Sequence, residues 1–178
     1  MPNTVLENYG RIFVSDKPTH PDDFRVVCQG PPESFTSKLV AQRAFTKGAV
    51  IAHMEGLTPG DKRYSTVQIS KDKHIELNSD LVFMNHSCDP SAHMDVDGMV
   101  VSALKDILPG DELTFFYPST EWDMAQPFTC WCGAAKCIEV VRGAHYLSSE
   151  ILKQFPLSEH IKDLLKERDE ESSKTSQP

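Results

Sequence analysis

Three cysteines in the last third of the chain have the spacing of metal ligands. Cys130, Cys132 and Cys137 form a C-x-C-x4-C pattern, with Gly133 directly after the second cysteine. Zinc binds four ligands in a tetrahedron, and thiolates two residues apart can reach one ion where the backbone turns sharply. Gly133 permits such a turn, because glycine adopts backbone conformations that are closed to other residues. The pattern therefore predicts a metal site that still lacks one ligand.

The fourth ligand has to come from another part of the chain. The sequence contains five cysteines, so two of them lie outside the cluster. An odd cysteine count without a secretion signal favours metal binding or catalysis over a disulfide framework. By residue type alone, Cys28, Cys88 and His145 are the candidates for the missing position.

A second group of chemically active residues follows an apolar run. Residues 85–88 read Asn-His-Ser-Cys and precede an Asp-Pro turn. Polar groups that follow a strand stand where binding and catalytic sites are commonly built. Another apolar segment, residues 110–117 with the sequence GDELTFFY, ends in Tyr117.

The elements that must position these residues are short strands. Helical periodicity is hard to find before residue 148, which favours a mainly β, antiparallel fold over a parallel α/β fold. The predicted strands, several rich in Val, Ile, Thr or aromatics, are residues 38–44, 49–54, 65–69, 74–77, 99–104 and 112–117. The turn signals are Lys47-Gly48, Pro59-Gly60, Asp97-Gly98 and Pro109-Gly110.

Two short helices are predicted to close the domain. The first covers residues 149–155 and stops at Pro156, because proline disfavours helix in the residue before it. The second follows Ser158, a suitable N-cap, and places Ile161 and Leu164 at helical spacing. The remaining residues, 166–178, lack any large apolar side chain, which predicts a disordered tail.

Composition narrows the classes of function. The chain has 178 residues, enough for one domain with its own core, and a net charge of −8. An acidic chain is a poor general binder of nucleic acid, and it suits a basic partner better. No apolar stretch reaches the roughly 18 residues that a membrane span needs, and residues 1–16 lack the features of a secretion signal. We therefore expect an intracellular protein of the nucleus or cytoplasm, with no direct contact to nucleic acid or membrane.

Three motifs in order carry a family resemblance. They are NHSCDP at residues 85–90, GDELTFFY at residues 110–117 and F-x-C-x-C-G-x3-C at residues 128–137. Together they resemble the SET-domain protein lysine methyltransferases that carry a post-SET zinc segment, in particular compact microbial members. The resemblance covers about residues 37–143.

The resemblance implies a fold and a division of the chain. The expected fold is a SET domain of small antiparallel sheets with a pseudoknot, followed by the post-SET zinc segment and short helices. The implied segments are an N-terminal extension (1–34), the SET domain (35–120), the post-SET segment (121–143), C-terminal helices (144–165) and the tail (166–178).

The resemblance also implies a complete metal site. Cys88 would join Cys130, Cys132 and Cys137 on one zinc ion per chain. Four thiolates close the coordination shell, so the ion would be structural. Cys28 would be left over as a buried or half-buried thiol.

For the reaction, the resemblance implies S-adenosyl-L-methionine as cofactor. Tyr117 matches the catalytic tyrosine of the family, and Phe115 the position that sets how many methyl groups are added, with Phe permitting di- or trimethylation. Tyr64 is expected to supply an aromatic wall of the lysine channel. The expected cofactor-binding residues are Ser37, Lys38, Leu39, Asn85, His86, Tyr117, Phe128 and Trp131.

The chain departs from the family pattern at four places. Thr36-Ser37-Lys38 stands where the family has Gly-x-Gly, and Met54 where it has a channel tyrosine. Ser91 replaces a common Asn, and Phe116 replaces a frequent Asp. The first two changes bear on cofactor binding and on the shape of the channel.

The function these residues favour is methyl transfer to a lysine side chain of a protein, with basic histone tails as the first substrate to test. Two alternatives stay open. One is a SET-fold binding or regulatory protein without methyltransferase activity, suggested by the lost glycines. The other is a methyltransferase for a small-molecule amine, suggested by the altered channel at Met54.

Overall fold

A computed structural model describes residues 17–28 and 36–175, which form short strands and few helices. The strands are β1 (Phe24–Cys28), β2 (Ser37–Ala41), β3 (Val50–His53), β4 (Thr58–Gly60), β5 (Thr66–Gln68), β6 (His74–Glu76), β7 (Asn85–His86), β8 (Ala92–Asp95), β9 (Val100–Ala103), β10 (Glu112–Phe115), β11 (Phe128–Thr129) and β12 (Val140–Val141). The α-helices are α1 (Ser149–Leu152) and α2 (Glu159–Thr175), and 3-10 helices lie at Asp80–Phe83, Tyr117–Ser119 and Ala144–Tyr146.

The strands form small sheets in the orders β1-β2-β10-β7, β3-β9-β8, β4-β6-β5 and β11-β12. The prediction of a mainly β fold is confirmed, and each of the six predicted strand segments contains a strand. The pairs are antiparallel except for β7 and β10, which are parallel with Asn85 opposite Thr114 and His86 opposite Phe115. This pair brings two of the sequence motifs side by side.

One expected turn is a strand. Pro59-Gly60 lies in β4, at the edge of the sheet β4-β6-β5. An edge strand accepts proline because one row of its backbone N–H groups needs no partner in the sheet. Of the N-terminal extension predicted over residues 1–34, residues 17–28 are described, and the others lie outside the described residues.

Two hydrophobic clusters hold these elements together. The larger one joins the sheets and includes Leu39, Met94 and Leu113, all 0% exposed. The smaller one joins Phe116 to the C-terminal helices, with the Phe116 and Phe155 rings stacked at a centroid distance of 3.7 Å. The residue that replaces the family's Asp at position 116 is therefore an anchor for those helices.

The tail prediction is wrong for most of its length. Helix α2 continues to Thr175, so residues 166–175 are helical, while 176–178 lie outside the described residues. The Arg168 guanidinium donates to the carbonyls of His145 and Leu147 at 3.0 and 2.8 Å. The Lys71 ammonium lies 2.7 Å from the Glu167 carboxylate. These contacts join the polar C-terminal part of α2 to distant segments, while the N-terminal part of the helix buries Ile161 and Leu164.

Two further findings bear on the sequence expectations. Cys28 is exposed at the end of β1, not buried or half-buried as predicted, because it lies at the open end of its strand pair with Ser37. Within the described residues, no helix is both long and apolar enough to cross a membrane.

Candidate active site and metal centre

Four cysteines from two distant parts of the chain meet at one point. Cys88 follows β7, while Cys130, Cys132 and Cys137 lie in the segment between β11 and β12. All four sulfur atoms lie within 4.8 Å of one another. The sequence predicted this grouping from the spacing of three cysteines and from the resemblance for the fourth.

The geometry of the cluster fits zinc. The Cys88 Sγ lies 3.9 Å from the Sγ atoms of both Cys130 and Cys137. A tetrahedron with zinc–sulfur bonds of about 2.3 Å has sulfur–sulfur edges of about 3.8 Å. The backbone N–H of Ile138 donates to the Cys88 Sγ at 3.4 Å, and that of Glu139 to the Cys137 Sγ at 3.4 Å. The donor set is therefore suited to a closed, structural zinc site.

The other two candidate ligands lie elsewhere. Cys28 is exposed and accepts a hydrogen bond from the Ser37 hydroxyl at 3.4 Å. The His145 ring packs against Trp122 and Tyr146, with centroid distances of 5.1 and 4.9 Å. Of the three candidates that the sequence left open, the structure selects Cys88.

Burial shapes the ionisation of the thiols. It raises the pKa of Cys88 and raises that of Cys130 to about 11, whereas hydrogen bonds, the first from the Ala134 backbone, outweigh burial at Cys132 and lower its pKa to about 6. Buried thiols with raised pKa values stay protonated unless a cation supplies compensating charge. A divalent ion would supply that charge and convert the thiols to thiolates.

An aromatic cluster lies next to the cysteines. The Tyr117 ring is 4.7 Å from Phe115, 5.3 Å from His86 and 6.0 Å from Phe128, measured between ring centroids. The His86 ring is also 6.0 Å from Phe128. The parallel pairing of β7 with β10 and the position of β11 bring these rings together.

His86 connects this cluster to the metal site. The backbone N–H of Tyr117 donates to its Nδ1 at 3.1 Å, so the ring proton must be on Nε2. The Nε2 atom lies 3.3 Å from the Cys88 Sγ, within reach of a hydrogen bond to sulfur. Burial lowers the pKa of His86 to about 4, which keeps the ring neutral. A hydrogen bond from His86 to the Cys88 sulfur would help to orient that sulfur as a metal ligand.

Tyr117 is held as a neutral phenol. Its hydroxyl donates to the Met84 carbonyl at 2.9 Å. Burial raises the pKa of the hydroxyl, and the carboxylates of Glu121 and Glu112 raise it further. At neutral pH its proton is used in the bond to Met84, so its oxygen can accept a hydrogen bond from another group but cannot act as a phenolate base.

A narrow cavity of about 50 Å³ opens beside Tyr117. Its wall includes Tyr64, Phe115, Tyr117, Met84 and Glu121. Tyr64 and Phe115 thus line the same space, and the role of Tyr64 in a lysine channel stays a prediction. The cavity is mainly apolar, with three aromatic rings and a few polar or charged groups in its wall.

Of the residues expected to bind the cofactor, six lie near one another, with Tyr117 among them through its contacts with His86 and Phe128. The Asn85 side chain donates to the Ser37 carbonyl at 3.0 Å and to the Glu112 carboxylate at 2.9 Å, which joins β7 to β2 and β10. Lys38 follows Ser37 on β2. His86 and Phe128 belong to the adjoining aromatic cluster.

Three of the residues singled out in the sequence lie away from the cavity. The side chain of Leu39 is 0% exposed in the main core between its strand neighbours, so only its backbone could contact a cofactor. Trp131 is 90% exposed, because it projects from the loop between Cys130 and Cys132. Met54 is 5% exposed in the core and does not line the cavity, so it does not shape a channel there.

Sequence reasoning missed two charged residues of the cavity wall, Arg63 and Glu121. Neither belongs to a motif. Arg63 precedes Tyr64, and Glu121 follows the GDELTFFY segment by four positions, so proximity to a predicted site residue was the signal that could have found them.

Comparison with known proteins agrees with this geometry. The SET domain family matches residues 36–118. The chain is 40% identical over 152 residues to "Methyltransferase flvH" of Aspergillus flavus, covering 84% of both chains. It is 27% identical over 148 residues to "Histone-lysine N-methyltransferase, H3 lysine-36 specific" of Schizosaccharomyces pombe, covering 78% of this chain and 17% of that protein.

A solved structure has the same fold. The methyltransferase domain of human histone-lysine N-methyltransferase SETMAR superposes with a TM-score of 0.50 at 18% identity, over 67% of this chain and 58% of that one. The fold and site define a SET-type methyltransferase. The chain belongs to the SET-domain family.

Proposed function

We propose that this chain transfers a methyl group from S-adenosyl-L-methionine to the side-chain amine of a lysine in a protein. The observation that carries the proposal is the narrow cavity in which Tyr64, Phe115 and Tyr117 converge. A cavity walled by these three rings suits the thin, apolar stem of a lysine, and the oxygen of the Tyr117 hydroxyl could accept a hydrogen bond from the amine. Membership of the SET-domain family supports the same reaction.

The chain offers suitable groups for the cofactor. Ser37 and Lys38 supply backbone at the start of β2, Asn85 ties that backbone to β7, and Phe128 and His86 supply ring surfaces. Aromatic rings at this position could pack against an adenine. When bound, S-adenosyl-L-methionine would supply an electrophilic methyl group on a positively charged sulfur.

The cavity would prepare the amine. A free lysine ammonium has a pKa near 10.4 and must lose a proton before it can attack. An apolar environment disfavours the charged form and so lowers that pKa. Alignment of the amine with the methyl group would then supply much of the rate.

The acidic character of the chain supports a basic substrate segment. Its net charge of −8 would attract a peptide rich in Lys and Arg. Histone tails are the first such substrates to test, and a location in the nucleus or cytoplasm is part of the proposal. The relatives named as histone methyltransferases are much longer than this chain, so their substrates do not transfer to it automatically.

The cysteine cluster would have a structural role. Zinc held by four thiolates has no open position for water or substrate. By fixing Cys88 against the segment between β11 and β12, the ion would hold Phe128 over the aromatic cluster.

The test is transfer of a labelled methyl group from S-adenosyl-L-methionine to core histones, to a cell extract and to free amines. We expect the wild type to label protein and Tyr117→Phe to lose most of that activity, because it keeps the ring and loses the hydroxyl. Tyr146→Phe is the matched control, since Tyr146 is 52% exposed and outside the cavity. Wild-type protein that binds the cofactor and labels no protein would overturn the proposal.

A second candidate is the same reaction on a small-molecule amine. The Arg63 guanidinium lines the cavity, 3.5 Å from the Glu76 carboxylate. A cation at this place could bind a carboxylate of a small substrate and would repel a basic peptide. Labelling of free amines without labelling of protein would select this function. Absence of transfer to either class, with cofactor bound, would favour a binding protein without activity.

A further inference from the structure

A buried carboxylate in the cavity wall has no role in the account so far. Glu121 follows the 3-10 helix Tyr117–Ser119, and its backbone N–H donates to the Tyr117 carbonyl at 3.0 Å. The residue is 9% exposed and lines the same cavity as Tyr117 and Tyr64. Buried carboxylates are uncommon unless they are paired with other groups.

The two oxygens of Glu121 are used unequally. Oε1 accepts the backbone N–H of Gln68 at 2.9 Å and the hydroxyl of Thr120 at 3.2 Å. Among the described residues, Oε2 accepts no hydrogen bond, and the nearest cationic type is His74, whose Nε2 lies 3.9 Å away. Oε1 is thus fixed by two hydrogen bonds, while Oε2 accepts none from the described residues.

Among the described residues, no permanently charged cation lies within 4.0 Å of the Glu121 carboxylate. Burial lowers the pKa of His74, and Lys62 and His160 lower it further, so its ring is neutral at pH 7. Burial likewise lowers the pKa of His160, on α2. Lys62 is engaged by the Asp123 carboxylate at 2.6 Å.

Two other ionisable groups of the cavity wall do not supply the charge either. Arg63 is 3.5 Å from the Glu76 carboxylate, and Tyr117 is a neutral phenol. Burial raises the pKa of Glu121 to about 7, against the hydrogen bonds from Gln68 and Thr120 and the more distant charge of Lys62, which lower it. A carboxyl group with this pKa can both take up and release a proton at neutral pH.

On the basis of the proposed function, we infer that Glu121 pairs with the ammonium of the incoming substrate amine and accepts its proton. One N–H bond of the ammonium breaks, its electron pair stays on nitrogen, and the proton forms an O–H bond at Oε2. The product pair is a neutral amine and a neutral carboxylic acid. Glu121 would thus select a protonated amine as the substrate and make it nucleophilic inside the cavity.

Glu121→Gln separates this role from a structural one. A glutamine keeps a carbonyl oxygen for the Gln68 N–H and the Thr120 hydroxyl, so the connection to β5 survives, while the charge and the proton acceptor are lost. Asp80→Asn is the matched control. Asp80 is 4% exposed, accepts the backbone N–H of Thr19 at 2.9 Å and does not line the cavity.

The test is the pH dependence of kcat/KM for methyl transfer, with the acceptor that the labelling assay identifies. For the wild type we expect a rise up to about pH 7, where Glu121 ionises, and a plateau above it. Glu121→Gln should lack that plateau and rise about tenfold per pH unit toward the pKa of the amine itself, near 10.4. At pH 7.5 the kcat/KM of Glu121→Gln should be at least about 100-fold below that of the wild type. Asp80→Asn should keep the wild-type profile.

A profile for Glu121→Gln that runs parallel to that of the wild type would overturn the inference and leave the proposed function standing. If no acceptor is methylated at all, binding of n-butylamine, a mimic of the lysine side chain, decides the inference without turnover. We expect the wild type to bind it more tightly at pH 8 than at pH 6, and about tenfold more tightly than Glu121→Gln at pH 8. Equal binding by the two proteins would overturn it.

Discussion

The four-cysteine cluster and the cavity beside Tyr117 are built in different ways. Three of the four sulfur atoms come from one segment of eight residues, and their residue type and spacing alone indicate metal binding. The cavity collects Tyr64, Phe115, Tyr117 and Glu121 from separate segments whose positions depend on the whole fold. Loss of a single cysteine should therefore impair metal binding, whereas the shape of the cavity should also change when packing around it is altered.

The largest effect is expected at the metal centre. Cys130→Ser removes one of four ligands, and zinc affinity should fall more than about 100-fold, since even partners of the ligands can cost 10–100-fold. The two-residue strands β11 and β12 should loosen with it. Zinc content of the purified protein and hydrogen exchange across residues 128–141 measure both effects.

Cys28→Ser is the control, because Cys28 is exposed and lies outside the cluster. It should keep one zinc per chain. Equal zinc content in Cys130→Ser and the wild type would contradict the assignment of the ligands.

The next effect tests how the cavity wall is held. Gly143 has φ +121, and a Cβ there would lie 2.7 Å from the carbonyl carbon of Trp122, next to Glu121. Gly143→Ala should cost roughly 2–4 kcal/mol in the free energy of unfolding, through backbone strain and overlap together. Methyl transfer should fall, because the segment that carries Glu121 has to shift, while the cysteine spacing is unchanged.

Gly110 provides a matched comparison. Its φ is +96, yet a Cβ there meets nothing within 4 Å. Gly110→Ala should cost only the backbone strain, about 1–2 kcal/mol. Urea unfolding of the two variants measures the difference. Equal losses would mean that the contact with Trp122 does not hold the wall in place.

The smallest effect is a change of product. Phe115 is 5% exposed and lines the cavity, with its ring 4.7 Å from that of Tyr117. Phe115→Tyr adds a hydroxyl that narrows the space around the amine, so products should shift toward monomethylation with little change in stability. Mass spectrometry of the product gives the distribution. An unchanged distribution of mono-, di- and trimethylated products would show that Phe115 does not determine the number of methyl groups added.

Local patterns predicted much of this molecule. The strand segments rich in β-branched residues and the grouping of Cys130, Cys132 and Cys137 depend on neighbours in sequence, so they could be read directly. The assignment of Cys88 as the fourth ligand depended on the family resemblance, because Cys88 is far from the other three cysteines in sequence and its spacing does not indicate a shared site.

Errors arose where distant contacts decide the outcome. Residues 166–175 looked disordered, since their composition offers no apolar face, yet Arg168 and Glu167 bind distant segments. The side chains of Met54 and Leu39 both lie in the core, which their positions in the family pattern do not indicate. Glu121 was missed because its importance depends on a cavity formed by other segments.

The most direct test of lysine methylation is tandem mass spectrometry of a protein substrate after reaction with the wild type and with Tyr117→Phe. We expect methyl groups on a lysine side-chain nitrogen after reaction with the wild type and strong depletion of them with the variant. Wild-type protein that is loaded with zinc and binds the cofactor, but leaves every lysine unmodified, would contradict it.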